Sequence, residues 1–115
     1  VTPDEISQYL DIHHPHTPRY QLPRHQGPIW ATVSAALGFK TMLILHDFRE
    51  SRELFSAVDA VADMFRGAVR HTVSTVRAEF PGGGELLIRG QQGRNITRRF
   101  DQIVTLADGP AERPA

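Results

Sequence analysis

The sequence predicts a small α/β domain, a mixed β-sheet flanked by two or three helices. Three features point there. Residues 40–46, Lys-Thr-Met-Leu-Ile-Leu-His, form a short, almost continuously apolar run, as a central strand buried on both faces requires. Leu54, Phe55, Val58, Val61, Ala62 and Phe65 then recur at helical spacing, so one face of a helix is apolar. After Gly67 the period changes: residues 69–80 are rich in Val and Thr, Pro81-Gly82-Gly83-Gly84 supplies a turn, and residues 85–89 return as a strand.

The remaining elements follow in chain order. Thr2-Pro3-Asp4-Glu5 has the composition of a helix start, with Ile6, Tyr9 and Leu10 on one face. Four prolines between residues 13 and 28 argue against a regular element, so residues 1–28 read as a helix followed by a Pro/His-rich extended arm. The core spans 29–109. Ile29-Trp30 either begins a buried strand or leads into a short apolar helix over 31–37, ended by Gly38. Trp30 and that segment are expected in the core, or on a self-association surface. Asp47 with Glu50 suits the cap of the 54–65 helix, which Gly67 closes. A polar loop over 90–95 and a strand over 102–106 complete the core, and 110–115 is a frayed tail.

Composition removes several chemistries. There is no cysteine, which excludes disulfides, thiolate zinc sites and cysteine nucleophiles. No serine lies in an elbow motif. The first residues carry no basic or apolar leader, and the apolar stretch over 28–39 is too short to span a bilayer, so a cytoplasmic protein is expected. The net charge is zero but unevenly placed. Residues 47–65 hold five acids against two arginines, and residues 66–99 hold seven arginines against two glutamates.

Twelve of the thirteen Lys and Arg side chains are arginine. Arginine's planar fork suits phosphate and carboxylate. Arg89, Arg94, Arg98 and Arg99 run without an acid between Glu85 and Asp101, and with Gln91, Gln92 and Asn95 they form a candidate surface for nucleic-acid phosphates or a partner protein. His14 and His16, at alternate positions of a proline-stiffened segment, could share one metal ion, with a further ligand supplied by folding. His46 sits at the carboxyl end of the central strand, where α/β sheets place ligands.

The order of elements over 29–109 resembles the central part of the RecA-like ATPase core of phage large terminases and related helicases. The matching stretches are Thr41-Met42-Leu43-Ile44-Leu45-His46-Asp47, the hairpin around Pro81-Gly82-Gly83-Gly84, and Gly93-Arg94 leading through Arg98-Arg99 to Gln102-Ile103-Val104-Thr105-Leu106. The resemblance implies a truncated RecA/Rossmann-like core of phage or prophage origin, with Lys40, Thr41 and Asp108 as its nucleotide-binding set. The motifs depart from that pattern. A phosphate-cradling loop needs Gly-x-x-x-x-Gly-Lys-Ser/Thr, whereas Gly38-Phe39-Lys40-Thr41 separates Gly from Lys and has Val33 at the first glycine position. The last strand ends Leu106-Ala107-Asp108-Gly109, without the glutamate that polarises attacking water. The expected function is therefore non-catalytic binding of a host protein or nucleic acid, as a homo-oligomer and with no cofactor. The alternatives are a nucleotide-binding ATPase-like subunit completed in an oligomer, and a metal-dependent hydrolase using the histidine arm.

Overall fold

A computed structural model describes residues 16–46, 48, 52–90 and 100–107. The expected helix over 3–11 lies outside these residues. In chain order the elements are β1 (Arg19–Leu22), α1 (Gly27–Ala36), β2 (Lys40–Leu45), a 3-10 turn (Arg52–Leu54), α2 (Phe55–Met64), β3 (Ala68–His71), β4 (Thr75–Glu79), β5 (Glu85–Gly90) and β6 (Gln102–Leu106). The strands form one mixed sheet in the order β1-β6-β2-β5-β4-β3. The first four are mutually parallel, and β4 and β3 are added antiparallel. This is the expected small mixed α/β architecture, with two helices among the described residues.

β2 is central because both faces of its sequence are apolar. Leu43 and Leu45 point to the side that carries the helices, where they join Ala31, Ala35, Val58, Ala62, Ile88, Val104 and Leu106. Met42 and Ile44 point to the opposite side and pack with Leu87, Ile103 and Phe100. The polar residue Thr41 is buried, and its Oγ1 accepts a hydrogen bond from Gln102 Nε2 at 3.0 Å, so the pair satisfies itself inside the sheet.

Three elements differ from the sequence reading. β1 and the start of α1 lie within the span read as an arm. β1 is an edge strand held between Pro18 and Pro23, a position where proline's missing donor costs no ladder bond. α1 begins at Gly27, four residues before the expected helix, and Pro28 occupies its first turn, where no intrahelical partner is needed. Trp30 is accordingly on the outer side of a helix, 37% exposed and with its ring tilted against Tyr20, centroids 5.1 Å apart, while the inner positions Ala31, Thr32 and Ala35 are buried. Residues 69–80 form two strands rather than one. Thr72 Oγ1 accepts from Ser74 N and Thr75 N, replacing ladder partners with a local turn that β-branched composition conceals.

The helix ends obey one rule with different residues. Gly38 (φ 110) closes α1, its amide donating to Ala35 O and that of Phe39 to Ser34 O. At the end of α2 the left-handed position is taken by Arg66 (φ 60), not by Gly67. Gly67 is required for another reason: a Cβ there would stand 2.6 Å from Phe80 Cε1. α2 is tied to β3 by His71 Nε2 and Asp59 Oδ1 at 2.9 Å, both about half exposed. Such a pair contributes little, so His71→Ala should lower unfolding free energy in urea by less than about 1 kcal/mol.

Candidate functional site

The carboxyl ends of the parallel strands gather four chain segments at one edge of the sheet: the turn after Leu22, His46 after Leu45, Gly90, and Ala107 after Leu106. The first is a strand–turn–helix junction of the kind that a phosphate-cradling loop requires, and it lies at Pro23-Arg24-His25-Gln26-Gly27-Pro28 rather than beside Lys40; the other strand-to-helix passage, from β2 to α2, falls partly outside the described residues. Gln26 N and Gly27 N both donate to Pro23 O, at 3.0 and 2.8 Å, and Pro28 has no N–H. Gly27 serves close packing, since a Cβ there would overlap Leu106 Cδ2. Arg24, 5% exposed, turns its Nη2 onto Glu53 Oε1 at 2.7 Å, and so anchors the junction to the turn before α2.

Lys40 and Thr41 stand at the other end of the sheet, at the amino end of β2. Lys40 is exposed, with its amide donating to Asp101 Oδ2 at 2.8 Å and its carbonyl accepting from Asp101 N at 2.7 Å. Asp108 lies outside the described residues. The structure therefore does not bring Lys40 or Thr41 to the carboxyl edge. His46 is buried there, with its Nε2 3.3 Å from Leu106 O, a carbonyl that can only accept.

Of the arginine run, Arg94, Arg98 and Arg99 lie outside the described residues. Arg89 is placed at the end of β5 and is 3% exposed. Its Nε donates to Gly90 O at 3.1 Å, and Nη2 is buried with no hydrogen-bond partner among the described residues. It is an interior arginine rather than part of a solvated loop. Phe100, the one aromatic side chain near the run, is buried in the second-face core and offers no stacking surface. His16 is exposed and His14 lies outside the described residues. Among the described residues no group of three His, Asp or Glu is placed to hold a metal ion.

A second feature carries no signature in the sequence. On the sheet face opposite the helices, a groove of about 490 Å³ runs over β3, β4 and β5, lined by Ala68, Arg70, Thr72, Thr75, Arg77, Glu79 and Leu87. Arg70 and Arg77 are register partners across β3 and β4. They flank the turn at Thr72–Thr75 symmetrically in sequence, which would have marked them as neighbours had that turn been recognised.

The chain is thus a small mixed α/β domain whose parallel half ends in a self-bonded strand–turn–helix junction and whose antiparallel half bears an arginine-lined groove. No family model, curated protein or solved structure matches it.

Proposed function

We propose that this is a non-catalytic binding protein that contacts nucleic-acid phosphates through Arg94, Arg98 and Arg99, in the connection between β5 and β6. The observation that carries the non-catalytic part is the junction at Pro23–Gly27. A nucleotide triphosphate is held by bare backbone amides and a lysine. Here the amides of Gln26 and Gly27 are spent on Pro23 O, and proline stands where the next donor would be. The nucleic-acid part rests on charge: no acid lies between Glu85 and Asp101, while three arginines do besides the interior Arg89. With Phe100 buried, stacking on bases has no support, so contact to the backbone is favoured over base readout.

The test is fluorescence anisotropy with a labelled short duplex, titrated over about 50 to 200 mM salt. Binding should weaken steeply with salt. The triple variant Arg94→Ala/Arg98→Ala/Arg99→Ala should flatten the log–log slope by roughly 2 to 3, because each phosphate contact contributes about 0.9. Binding that ignores both salt and the triple substitution would remove the reading. ATP with magnesium should leave the melting temperature unchanged; a saturable rise would instead favour the nucleotide-binding alternative.

A further inference from the structure

We propose that the groove over β3 and β4 is an oxyanion site that takes a single phosphate group between Arg70 and Arg77. Its two arginines are not those of the β5–β6 connection, and it does not rest on the function proposed for them. Like charges directly opposite one another on paired strands repel. Arg70 and Arg77 occupy such a register pair on an open face, and a bound anion turns that repulsion into shared attraction. Arg77 already stands on the groove wall. Its Nε lies 3.2 Å from Glu85 Oε1, an ion pair without hydrogen-bond alignment that keeps the half-exposed guanidinium beside the groove. Arg70 is exposed and makes no ion pair among the described residues.

The hydroxyls complete the set. Thr72 Oγ1 accepts the amides of Ser74 and Thr75 and lies 2.7 Å from Thr75 Oγ1. Thr72 Oγ1 also donates toward Thr75 O at 3.3 Å, so Thr72 and Thr75 set two linked hydroxyls on the groove wall. Leu87 and Ala68 provide an apolar lining that strengthens charge–charge attraction nearby. The far end limits what fits. Glu79 lines the groove one rung away and faces Glu85 across β4 and β5. A polyphosphate running along the groove would meet these carboxylates, so one phosphate group is the unit recognised. It can belong to a small monophosphate or to a nucleic-acid backbone.

The experiment is an amide-resolved NMR titration with inorganic phosphate at constant ionic strength. Saturable shifts should centre on residues 72–77. Arg70→Ala and Arg77→Lys should each weaken the affinity by about tenfold, the loss of one charge-assisted or bidentate contact. Arg66→Asn, which removes a charge outside the groove and suits the left-handed backbone, should leave it unchanged, as should the triple variant of the β5–β6 connection. Displacement of phosphate by a short oligonucleotide would identify a backbone phosphate as the ligand, and its failure a small monophosphate. Shifts that do not saturate, or that weaken equally in Arg66→Asn and Arg70→Ala, would overturn the site. Because Arg70 is exposed and makes no ion pair among the described residues, its replacement should not lower the melting temperature, so lost binding cannot be blamed on unfolding.

Discussion

Gly84→Ala should cost about 3–5 kcal/mol, enough to leave most of the protein unfolded or insoluble if its stability is ordinary. The reason is what a methyl group there would meet. Its carbon would overlap the carbonyl oxygen of Ala35, and it would stand 2.8 Å from Ala35 C and 2.9 Å from Gly38 Cα. All three are backbone atoms, so no side chain can swing aside. Both partners are also pinned. Gly84 O accepts from Phe80 N, and the next amide, of Glu85, donates to Phe39 O. The end of α1 is fixed in turn by the bonds of Gly38 N to Ala35 O and Phe39 N to Ser34 O. Relief therefore requires α1 to lift from β5, which exposes core around Ala31 and Ala35. The neighbouring glycines are the control. A Cβ at Gly82 meets nothing within 4 Å, so Gly82→Ala should stay within about 0.5 kcal/mol of the parent. Gly83 has open space but φ +89, and its replacement should cost about 1–2 kcal/mol. Urea unfolding of the three variants gives the order directly; a Gly84→Ala protein within about 1 kcal/mol of the parent, an amount that is itself a common single-site effect, would mean that α1 does not rest on the hairpin in this way.

Those three glycines also mark how far the sequence could be read. Pro81-Gly82-Gly83-Gly84 was legible as a turn because turn chemistry is local. The central strand and the buried stripe of α2 were legible because periodic apolarity reports directly on burial. Gly84's real constraint was not, since it comes from a helix nearly fifty residues earlier. The same division explains the other differences. Nothing local distinguishes the β1 sequence Arg-Tyr-Gln-Leu from an irregular arm; it becomes a strand because β6 offers a parallel edge, and β6 comes more than eighty residues later. The turn at Thr72–Thr75 was hidden because Thr and Val favour strands, while the hydroxyl bonds that make the turn depend on conformation.

The candidate site divides in the same way. Residue type pointed to arginine, but which arginines share a surface is a matter of register. Arg89 sat in the most basic run of the sequence and is interior, whereas Arg70 and Arg77, seven residues apart in a stretch read as a single strand, are register partners. A lysine and threonine after a glycine suggested a nucleotide set at Lys40 and Thr41, yet topology puts that pair at the amino end of β2. Only the strand order could reveal that the junction of interest lies after β1.

Gly27 and Leu106 should behave as one unit. Leu106 is 1% exposed in the main core, and Leu106→Ala alone should cost about 2–5 kcal/mol. Gly27→Ala alone places a methyl group onto Leu106 Cδ2, the far end of a side chain that can turn only into a filled core, so about 1–3 kcal/mol is expected. In the double variant the clash is gone. The new methyl occupies part of the space that Leu106 vacates, and its other neighbours, Leu22 Cβ at 3.8 Å and Val104 Cγ1 at 3.9 Å, are at ordinary contact distance. The double variant should then be about as stable as Leu106→Ala, with a coupling of about 1–3 kcal/mol. Four urea curves measure it. Additivity within about 0.5 kcal/mol, the ordinary result for independent sites, would mean that the start of α1 is not pressed against the end of β6. The closed turn at Pro23–Gly27 would then lack the packing that holds it shut, and the case against a nucleotide at this junction would weaken with it.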